Sequence, residues 1–299
     1  MEKKEIKGVI TVLLTPFTIE GEPDLRALKK LVDFVIERGV HGLFPCGSYG
    51  MGPLMTVEER KKVLEAVVEA NNGRVSIVAH IGAIETKSTI NLAKHAEKVG
   101  VDAISSVPPF YYHYESEEIV DYFKEIMNAV EIPVYAYNNA LTGNLLTPEL
   151  FIRLTEIGLK GMKDASKDLH LFYKYQRLAP SDFNLLMGTE EFALPSMVMG
   201  GKGFTTGMAC AFPEITVKLY ETCAQKDYVS AAKIQKKLLK VFDIMQIASP
   251  KVQIAHECVR LRGVDIGQPK PPFRLLSEEL KQCVKEELSD LGMLSEPYL

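Results

Sequence analysis

A lysine inside an apolar segment is the residue of this sequence best suited to covalent chemistry. Lys163 lies within the apolar run 159–165, whereas most other lysines lie on polar helical faces or near the termini. If Met162 faces outward, strand alternation directs Lys163 to the inner side of a sheet. A lysine amine there can attack a carbonyl to form a Schiff base. The alternative is a structural lysine paired with Asp164.

Two hydroxyl residues could assist such an amine. Tyr137 lies at an equivalent depth in the preceding apolar run, and a phenol beside an amine can shuttle protons during carbinolamine formation and C–C cleavage. Ser48 lies in the turn Gly47-Ser48-Tyr49-Gly50, which could offer a hydroxyl and backbone N–H groups to a carboxylate. An amphipathic tyrosine at a barrel mouth and an ordinary tight turn are the alternatives.

These candidates lie at the ends of apolar segments that recur along the chain and alternate with amphipathic stretches of helical period. The segments are 8–17, 41–47, 75–82, 102–109, 132–138, 159–165, 183–189 and 203–209. Eight strand–helix units predict a parallel sheet closed into a (β/α)8 TIM barrel. An open doubly wound sheet is the alternative, but it would normally carry GxGxxG after its first strand, where this chain has Thr15-Pro16-Phe17-Thr18.

In such barrels the active site lies at the C-terminal ends of the strands. This rule selects a set of candidates that end or follow the predicted strands: Ser48, Tyr49, Tyr111, Tyr137, Lys163, Gly188, Glu190, Glu191 and Thr205. Helix starts are predicted at Asp24, at Thr56 with a capping box, near Ser116, and at Thr147 before a proline.

The last part of the chain predicts more helices, over 228–248, 251–262 and 277–291. We therefore expect a catalytic barrel over 1–226 and a helical extension packed on it over 227–299. A proline-rich connector, Gly267-Gln268-Pro269-Lys270-Pro271-Pro272, precedes the last helix.

Composition excludes several classes of function. The 299 residues carry a net charge of −4, which disfavours binding to nucleic acid or to a membrane surface. The charged start, Met1-Glu2-Lys3-Lys4-Glu5, does not resemble a signal peptide, and five scattered cysteines fit a cytoplasmic location. The six histidines form neither HxH nor HExxH, so no metal site is expected. His80 is the best single metal candidate, but its place inside a strand is more typical of a hydrogen-bonded core residue.

Five motifs in their order along the chain resemble one known superfamily. They are Gly47-Ser48-Tyr49-Gly50, Pro109-Phe110-Tyr111-Tyr112, Tyr135-Ala136-Tyr137-Asn138, Gly161-Met162-Lys163-Asp164 and Gly200-Gly201-Lys202-Gly203. Over residues 6–277 the chain resembles the N-acetylneuraminate lyase and dihydrodipicolinate synthase superfamily of pyruvate-dependent class I aldolases.

The resemblance implies roles for particular residues. Lys163 matches the Schiff-base lysine, Tyr137 the proton-shuttling tyrosine, and Ser48 the hydroxyl that works with that tyrosine and with the substrate carboxylate. Tyr111 matches a tyrosine that, in the synthase branch, reaches into a neighbouring subunit's site. The main chain at Thr205 matches a contact to bound pyruvate. The superfamily is usually tetrameric, as a dimer of dimers, which implies a homotetramer here.

Three departures from the superfamily pattern bear on the substrate. Tyr49 replaces a small hydroxyl residue, and Met51 replaces the usual glutamate, so that Gly50-Met51-Gly52-Pro53 resembles the 2-keto-3-deoxygluconate aldolase branch. The synthase branch has an arginine just after the fifth-strand tyrosine that holds a second carboxylate. Here the segment reads Asn138-Asn139-Ala140-Leu141-Thr142-Gly143, without arginine.

The expected activity follows from these departures. Without the arginine a dicarboxylate loses its bidentate partner, and Glu190 and Glu191 align with acidic positions that hold the polyol in the neuraminate lyase branch. The sequence therefore predicts reversible cleavage of a 2-keto-3-deoxy sugar acid to pyruvate and an uncharged aldehyde, with no metal or organic cofactor. The alternatives are a dehydratase or dihydrodipicolinate synthase on the same Schiff-base site, a non-catalytic pyruvate-binding homologue, and a metal-dependent barrel aldolase. Both glutamates could also be solvated helix-start residues.

Overall fold

The computed structural model describes residues 4–247 and 251–295. Met1, Glu2 and Lys3 of the predicted charged start, and Ala248 of the predicted helix 228–248, lie outside them. Within these ranges eight parallel strands pair in chain order into a closed barrel. The strands are β1 Gly8–Val12, β2 Gly42–Phe44, β3 Ser76–His80, β4 Ala103–Ser106, β5 Val134–Asn139, β6 Gly161–Ala165, β7 Asn184–Met187 and β8 Gly203–Thr206. The predicted (β/α)8 barrel is confirmed.

Eleven α-helices occur in the described ranges, and the first eight each follow a strand. They are α1 Leu25–Glu37, α2 Val57–Asn71, α3 Thr86–Lys98, α4 Ser116–Ala129, α5 Pro148–Glu156, α6 Leu169–Leu178, α7 Ala193–Val198, α8 Pro213–Ala224, α9 Tyr228–Ile244, α10 Lys251–Leu261 and α11 Glu278–Asp290. The helix α9 packs on α7 and α8, and α11 packs on α9 and α10, which confirms the C-terminal helical extension. None of these helices is long and apolar enough to cross a membrane.

The helix starts largely follow the predicted caps. Asp24 and Thr147 cap α1 and α5, and Thr56 forms a capping box with Glu59 at the start of α2. The prediction near Ser116 is one residue late, because the N-cap of α4 is Glu115, whose carboxylate takes the place of the usual hydroxyl.

The inside of the barrel has its own apolar core, distinct from the layer between strands and helices. It consists of Ile6, Ile10, Val12, Phe44, Val78, Ala103, Val107, Tyr135, Tyr137 and Leu186. Tyr135 fills the space beside Gly161, where an added Cβ would lie 2.4 Å from the Tyr135 ring. Asn184 donates to the Tyr135 hydroxyl at 3.0 Å. Side chains therefore fill the inside of the barrel, and a site is expected at the C-terminal ends of the strands.

The connector before α11 supports the loop that follows β2. The backbone N–H of Lys270 donates to the Met51 sulfur at 3.3 Å, and its ammonium group donates to the Gly21 carbonyl at 2.7 Å and pairs with Glu59. Met51 has a φ of 53°, in the left-handed region that side chains seldom adopt. The extension thus fixes a loop at the mouth of the barrel. All five cysteines are unpaired.

Candidate active site

Lys163 points into the barrel, as strand alternation predicts. It pairs in register with Tyr137 on β5 and Leu186 on β7, and it is 3% exposed. Its Nζ lies 3.9 Å from the centroid of the Tyr137 ring and 4.5 Å from that of Phe44. Within 4–247 and 251–295 no salt bridge or hydrogen bond involves this amine. The amine is therefore held by aromatic faces rather than by an anion.

The alternative pairing of Lys163 with Asp164 is wrong. The Asp164 side chain lies on the opposite face of β6, where it accepts hydrogen bonds from Asn138 Nδ2 at 2.8 Å and Ser166 Oγ at 3.1 Å. Burial, only partly offset by these neutral donors, raises the pKa of Asp164 to about 6. Asp164 therefore belongs to a network behind the strands, and Lys163 is free for another role.

Tyr137 and Lys163 are brought together as predicted. Tyr137 is buried on the inner face of β5. Its ring contacts the rings of Phe44 and His80 edge-on, at centroid distances of 5.8 and 5.9 Å. No protein group in the described ranges forms a hydrogen bond with its hydroxyl. The phenol is therefore available to a ligand that reaches the amine.

Ser48 follows β2 and is exposed at the barrel mouth. It lines a cavity of about 460 Å³ together with His80, Phe110, Tyr111 and Asn139, over the ends of β2 to β5. In the part of the chain that the structure describes, the backbone N–H groups of Ser48 and Tyr49 donate to no protein acceptor. Two free N–H groups beside a hydroxyl form a suitable cradle for a carboxylate. Lys163 does not line this cavity itself. The Tyr137 ring contacts both the Lys163 amine and His80, and His80 lines the cavity.

Tyr49, the unusual residue of this loop, extends across the mouth to β8. Its ring lies against Gly207, where an added Cβ would be 2.7 Å from the ring. Burial raises the pKa of the Tyr49 phenol, and the charges of Glu190 and Glu191 raise it further. The neutral ring thus fills the β8 side of the mouth, which leaves the cavity on the β2–β5 side.

The two glutamates after β7 differ in their hydrogen bonds. Glu190 Oε1 accepts from Thr206 Oγ1 at 2.7 Å and from the Gly207 N–H at 3.2 Å, so it is engaged within the protein. Glu191 Oε2 is buried and has no partner in the described ranges. Among the two predicted glutamates, Glu191 therefore retains the capacity to accept a hydrogen bond.

Thr205 and Gly188 lie where their strands end. Thr205 faces the barrel interior in register with Ile10, and its buried Oγ1 has no partner among described residues. The Gly188 N–H donates to the Asp164 carbonyl at 2.7 Å, and an added Cβ would lie 2.9 Å from that oxygen. Gly188 therefore permits β7 to end close against β6.

Tyr111 differs from the other predicted site residues in its exposure to solvent. It lines the same cavity but is 81% exposed, and its ring stacks edge-on with Tyr112. Its φ of 86° is unfavourable for a side-chain residue and costs about 1–3 kcal/mol. The fold holds Tyr111 outward in a strained conformation.

Sequence reasoning missed the position of His80 in this site. The sequence predicts a hydrogen-bonded core residue at His80, and in the structure its buried ring also lines the cavity and contacts Tyr137. The signal was present in the alternation of β3, which places His80 on the same inner face as Val78. In the described ranges no group of three or more His, Cys, Asp or Glu side chains is arranged to hold a metal ion.

Comparison with known proteins assigns a family. Residues 5–291 match the profile of the dihydrodipicolinate synthetase family. The chain is 34% identical over 297 residues to a 4-hydroxy-tetrahydrodipicolinate synthase of Methanopyrus kandleri, covering 98% of each chain. It is 30% identical over 298 residues to a probable 2-dehydro-3-deoxy-D-pentonate aldolase, YjhH, of Escherichia coli, covering 97% of this chain and 99% of that one.

A solved structure shows the same architecture. YagE, a prophage protein of the dihydrodipicolinic acid synthase family from E. coli K12, crystallised in complex with pyruvate, superposes with a TM-score of 0.92. It is 27% identical and covers 97% of this chain and all of its own. The fold of nearly the whole chain is therefore shared with this structure.

Proposed function

The chain belongs to the dihydrodipicolinate synthetase family, and from this premise we propose that it is a class I aldolase that reversibly cleaves a 2-keto-3-deoxy sugar acid to pyruvate and an aldehyde. The single observation that carries the proposal is the amine of Lys163. It is buried, free of any anion in the described ranges, and 3.9 Å from the centroid of the Tyr137 ring. A buried amine can form a Schiff base, and a phenol beside it can transfer the protons that the reaction moves.

The proposed reaction begins when the Lys163 amine attacks the 2-oxo carbon. The carbinolamine loses water to give a protonated imine, which acts as the electron sink. Tyr137, assisted by Ser48, accepts the proton of the C4 hydroxyl as the C3–C4 bond breaks and the aldehyde leaves. The remaining enamine is protonated at C3 and hydrolysed to pyruvate, which restores the amine. The protonated imine accepts the electron pair of the broken C3–C4 bond, so the proposed reaction uses no metal or organic cofactor.

The substrate carboxylate is assigned to the mouth loop. The free N–H groups of Ser48 and Tyr49 and the main chain at Thr205 would hold it. In a low-dielectric site such N–H donors bind an anion more strongly than they do in water. This arrangement places the 2-oxo group between the carboxylate cradle and Lys163.

The choice of aldehyde rests on charge. No arginine follows Tyr137 in the segment 138–143, whereas Glu190 and Glu191 add negative charge after β7. An aldehyde that carries a carboxylate or phosphate would be repelled, and an uncharged polyhydroxy aldehyde would not. The likeness to YjhH supports this class of substrate, and the nearest branch is proposed to be that of the 2-keto-3-deoxygluconate aldolases.

The second candidate function is dihydrodipicolinate synthase-type condensation of pyruvate with aspartate semialdehyde. The likeness to the Methanopyrus enzyme favours it. A dehydratase would use the same imine, and a non-catalytic pyruvate-binding homologue would retain the cavity without turnover.

The assembly and location of the protein are proposed from the family pattern. We place the catalytic barrel at 1–226 and the extension at 227–299, and we propose a homotetramer in the cytoplasm in which Tyr111 reaches the site of a neighbouring subunit. The exposed and strained Tyr111 suits such a contact. Mass determination in solution, before and after Tyr111→Ala, tests it, and a monomer at micromolar concentration would contradict it.

Turnover with separate substrates tests the proposed function. Pyruvate release from 2-keto-3-deoxygluconate should exceed pyruvate consumption with aspartate semialdehyde, and Lys163→Met should abolish both. Lys160→Met is the matched control, since Lys160 precedes the same strand but its side chain is 58% exposed beside Asp182. Faster turnover with aspartate semialdehyde would replace the proposal with the second candidate.

A further inference from the structure

His80 occupies the wall between the cavity and the catalytic pair. It is 6% exposed, faces inward at the end of β3, and lines the cavity with Ser48 and Asn139. The centroids of Phe44 and Tyr137 each lie 5.9 Å from the centroid of its ring. These same two rings lie against the Lys163 amine. A ligand attached to that amine would therefore extend past the imidazole on its way to the cavity.

Arg60 of α2 fixes the imidazole from behind. Its buried guanidinium donates to the carbonyls of His80 at 2.7 Å and Gly82 at 2.8 Å, and its Nη2 lies 3.4 Å from His80 Nδ1. A guanidinium can only donate, so Nδ1 is assigned as the acceptor and the proton as lying on Nε2. Burial lowers the pKa of His80 well below its usual value, the charges of Arg60 and Lys163 lower it further, and a contact from the Cys46 carbonyl opposes them.

The outer edge of this imidazole is without a protein partner. His80 Nε2 is buried and forms no hydrogen bond within 4–247 and 251–295. Ser105 is the register neighbour of His80 on β4, and its Oγ is also buried without a hydrogen-bond partner in these ranges. Buried polar atoms are ordinarily hydrogen-bonded, and here two that are not lie side by side on the inner face of the barrel. A hydroxyl can satisfy both atoms, because it donates and accepts.

We propose that His80 is a specificity-determining residue that hydrogen-bonds, through Nε2, a hydroxyl of the substrate chain held on Lys163, with Ser105 as the second partner. This inference rests on the proposed function and deepens it. A neutral imidazole suits an uncharged hydroxyl, so the β3–β4 side of the site recognises polyhydroxy substrates and discriminates against their deoxy analogues. A site that hydrogen-bonds a substrate hydroxyl rejects the analogue that lacks it, because its buried polar groups are then left unpaired.

The test compares two aldehydes in condensation with pyruvate: glyceraldehyde, which carries hydroxyls, and propanal, which carries none. His80→Phe keeps a planar ring and removes the hydrogen-bonding edge. We expect it to lower kcat/KM for glyceraldehyde by about 10- to 100-fold and to change that for propanal by about threefold or less. His80→Gln, which restores an N–H donor, should recover part of the loss, and Ser105→Ala should show a smaller loss of the same sign.

Trapping with borohydride and pyruvate separates the possible failures. An adduct on Lys163 of His80→Phe, at the yield of the unsubstituted protein, shows that the variant is folded and that the amine still reacts. Equal losses with glyceraldehyde and propanal would then overturn the His80 proposal and leave the proposed function intact. If His80→Phe does not fold, the same comparison is made with His80→Ala and Ser105→Ala, and unchanged discrimination in both overturns the proposal. Absence of an adduct in the unsubstituted protein would instead overturn the proposed function.

Discussion

At the scale of single residues, the site depends on which polar groups are satisfied by the protein and which are not. Asp164 and Glu190 have their hydrogen bonds within the fold, whereas the Lys163 amine, the Tyr137 hydroxyl and Glu191 Oε2 have none in the described ranges. Neighbouring residues therefore differ: some have side chains bound within the fold, and others have side chains that are available to a ligand. This division could not be obtained from sequence, because it depends on partners that other strands contribute.

The orientation of Lys163 and Tyr137 was predictable because strand period alone determines it. The position of the Tyr49 ring was not. It depends on Gly207, a residue of the last strand–helix unit that sequence spacing does not connect to the loop after β2. The unpaired Nε2 of His80 was also not predictable, because a histidine inside a strand has the same sequence pattern whether or not its ring nitrogens are hydrogen-bonded.

Replacing Tyr137 with phenylalanine should separate chemistry from stability. The Tyr137 hydroxyl has no protein partner in the described ranges, so Tyr137→Phe should lower kcat by about 10²- to 10⁴-fold and leave the free energy of unfolding nearly unchanged. Steady-state kinetics and urea unfolding measure the two quantities. Tyr135→Phe is the matched control, because it removes the bond from Asn184 and should cost about 1 kcal/mol of stability with little effect on kcat. A reversed pattern would contradict the role of Tyr137.

The contact between Tyr49 and Gly207 predicts a strong coupling between the two positions. Gly207 has helical φ and ψ that alanine adopts freely, so the only conflict in Gly207→Ala is the added Cβ, 2.7 Å from the ring. The substitution should destabilise the protein by about 1–3 kcal/mol and should be nearly neutral in a Tyr49→Thr background. Urea unfolding of the four proteins in a double-mutant cycle measures this coupling. Additive effects would show that the ring lies elsewhere.

At the scale of elements, β5 and β6 carry the proposed catalytic pair, Tyr137 and Lys163, on one face and a buried polar network on the other. Asn138 Nδ2 donates to Asp164 at 2.8 Å and lies 3.2 Å from the Tyr175 hydroxyl of α6, while Asn138 Oδ1 accepts from the Leu146 N–H at 3.0 Å. Because neighbours along a strand point to opposite faces, fixing Asn138 and Asp164 also fixes Tyr137 and Lys163.

The buried Asp164 carboxyl predicts a pH dependence of stability. Its pKa is about 6 in the folded chain against an ordinary 3.8, so between these values the folded state binds a proton that the unfolded state has lost. Stability from this group therefore falls as pH rises from about 4 to 6, by an amount of the order of 3 kcal/mol. Unfolding free energies at pH 4, 5, 6 and 7 should show the fall in the unsubstituted protein and a smaller one in Asp164→Asn. Parallel profiles for the two proteins would contradict it.

The elements themselves were largely predictable, and their ends were not. Seven of the eight apolar runs contain a whole barrel strand, and β5 extends one residue past the end of its run, to Asn139. Each strand is shorter than its run, because the runs also include buried residues before or after the strand. The start of α4 was misplaced by one residue, since Glu115 is an uncommon cap. Apolar runs record burial, and burial continues past the last ladder hydrogen bond.

At the scale of the whole molecule, the extension is joined to the active-site face by Lys270. Its ammonium group contacts Glu59 and Gly21, and its backbone contacts Met51, in the loop that is proposed to hold the substrate carboxylate. The closed barrel and the existence of the extension could be predicted from eight repeated units followed by helical periodicity. This connection could not, because it joins distant parts of the chain through a lysine that resembles any surface lysine.

Removing this connection should be costly. Lys270→Met leaves the mostly buried Glu59 carboxylate without its cation and should lower the free energy of unfolding by about 1.5–3 kcal/mol. Lys281→Met is the matched control, because its partner Glu278 is 87% exposed and such pairs contribute about 0–1 kcal/mol. Urea unfolding at neutral pH measures both. Equal losses would show that the connector does not stabilise the molecule.

The most direct test of the proposed mechanism is borohydride reduction in the presence of pyruvate, followed by mass analysis of the peptides. We predict a reduced pyruvate adduct on the peptide that contains Lys163, absent from Lys163→Met and present in Lys160→Met. No adduct, or an adduct on a different lysine, would contradict the assignment of Lys163 as the Schiff-base amine.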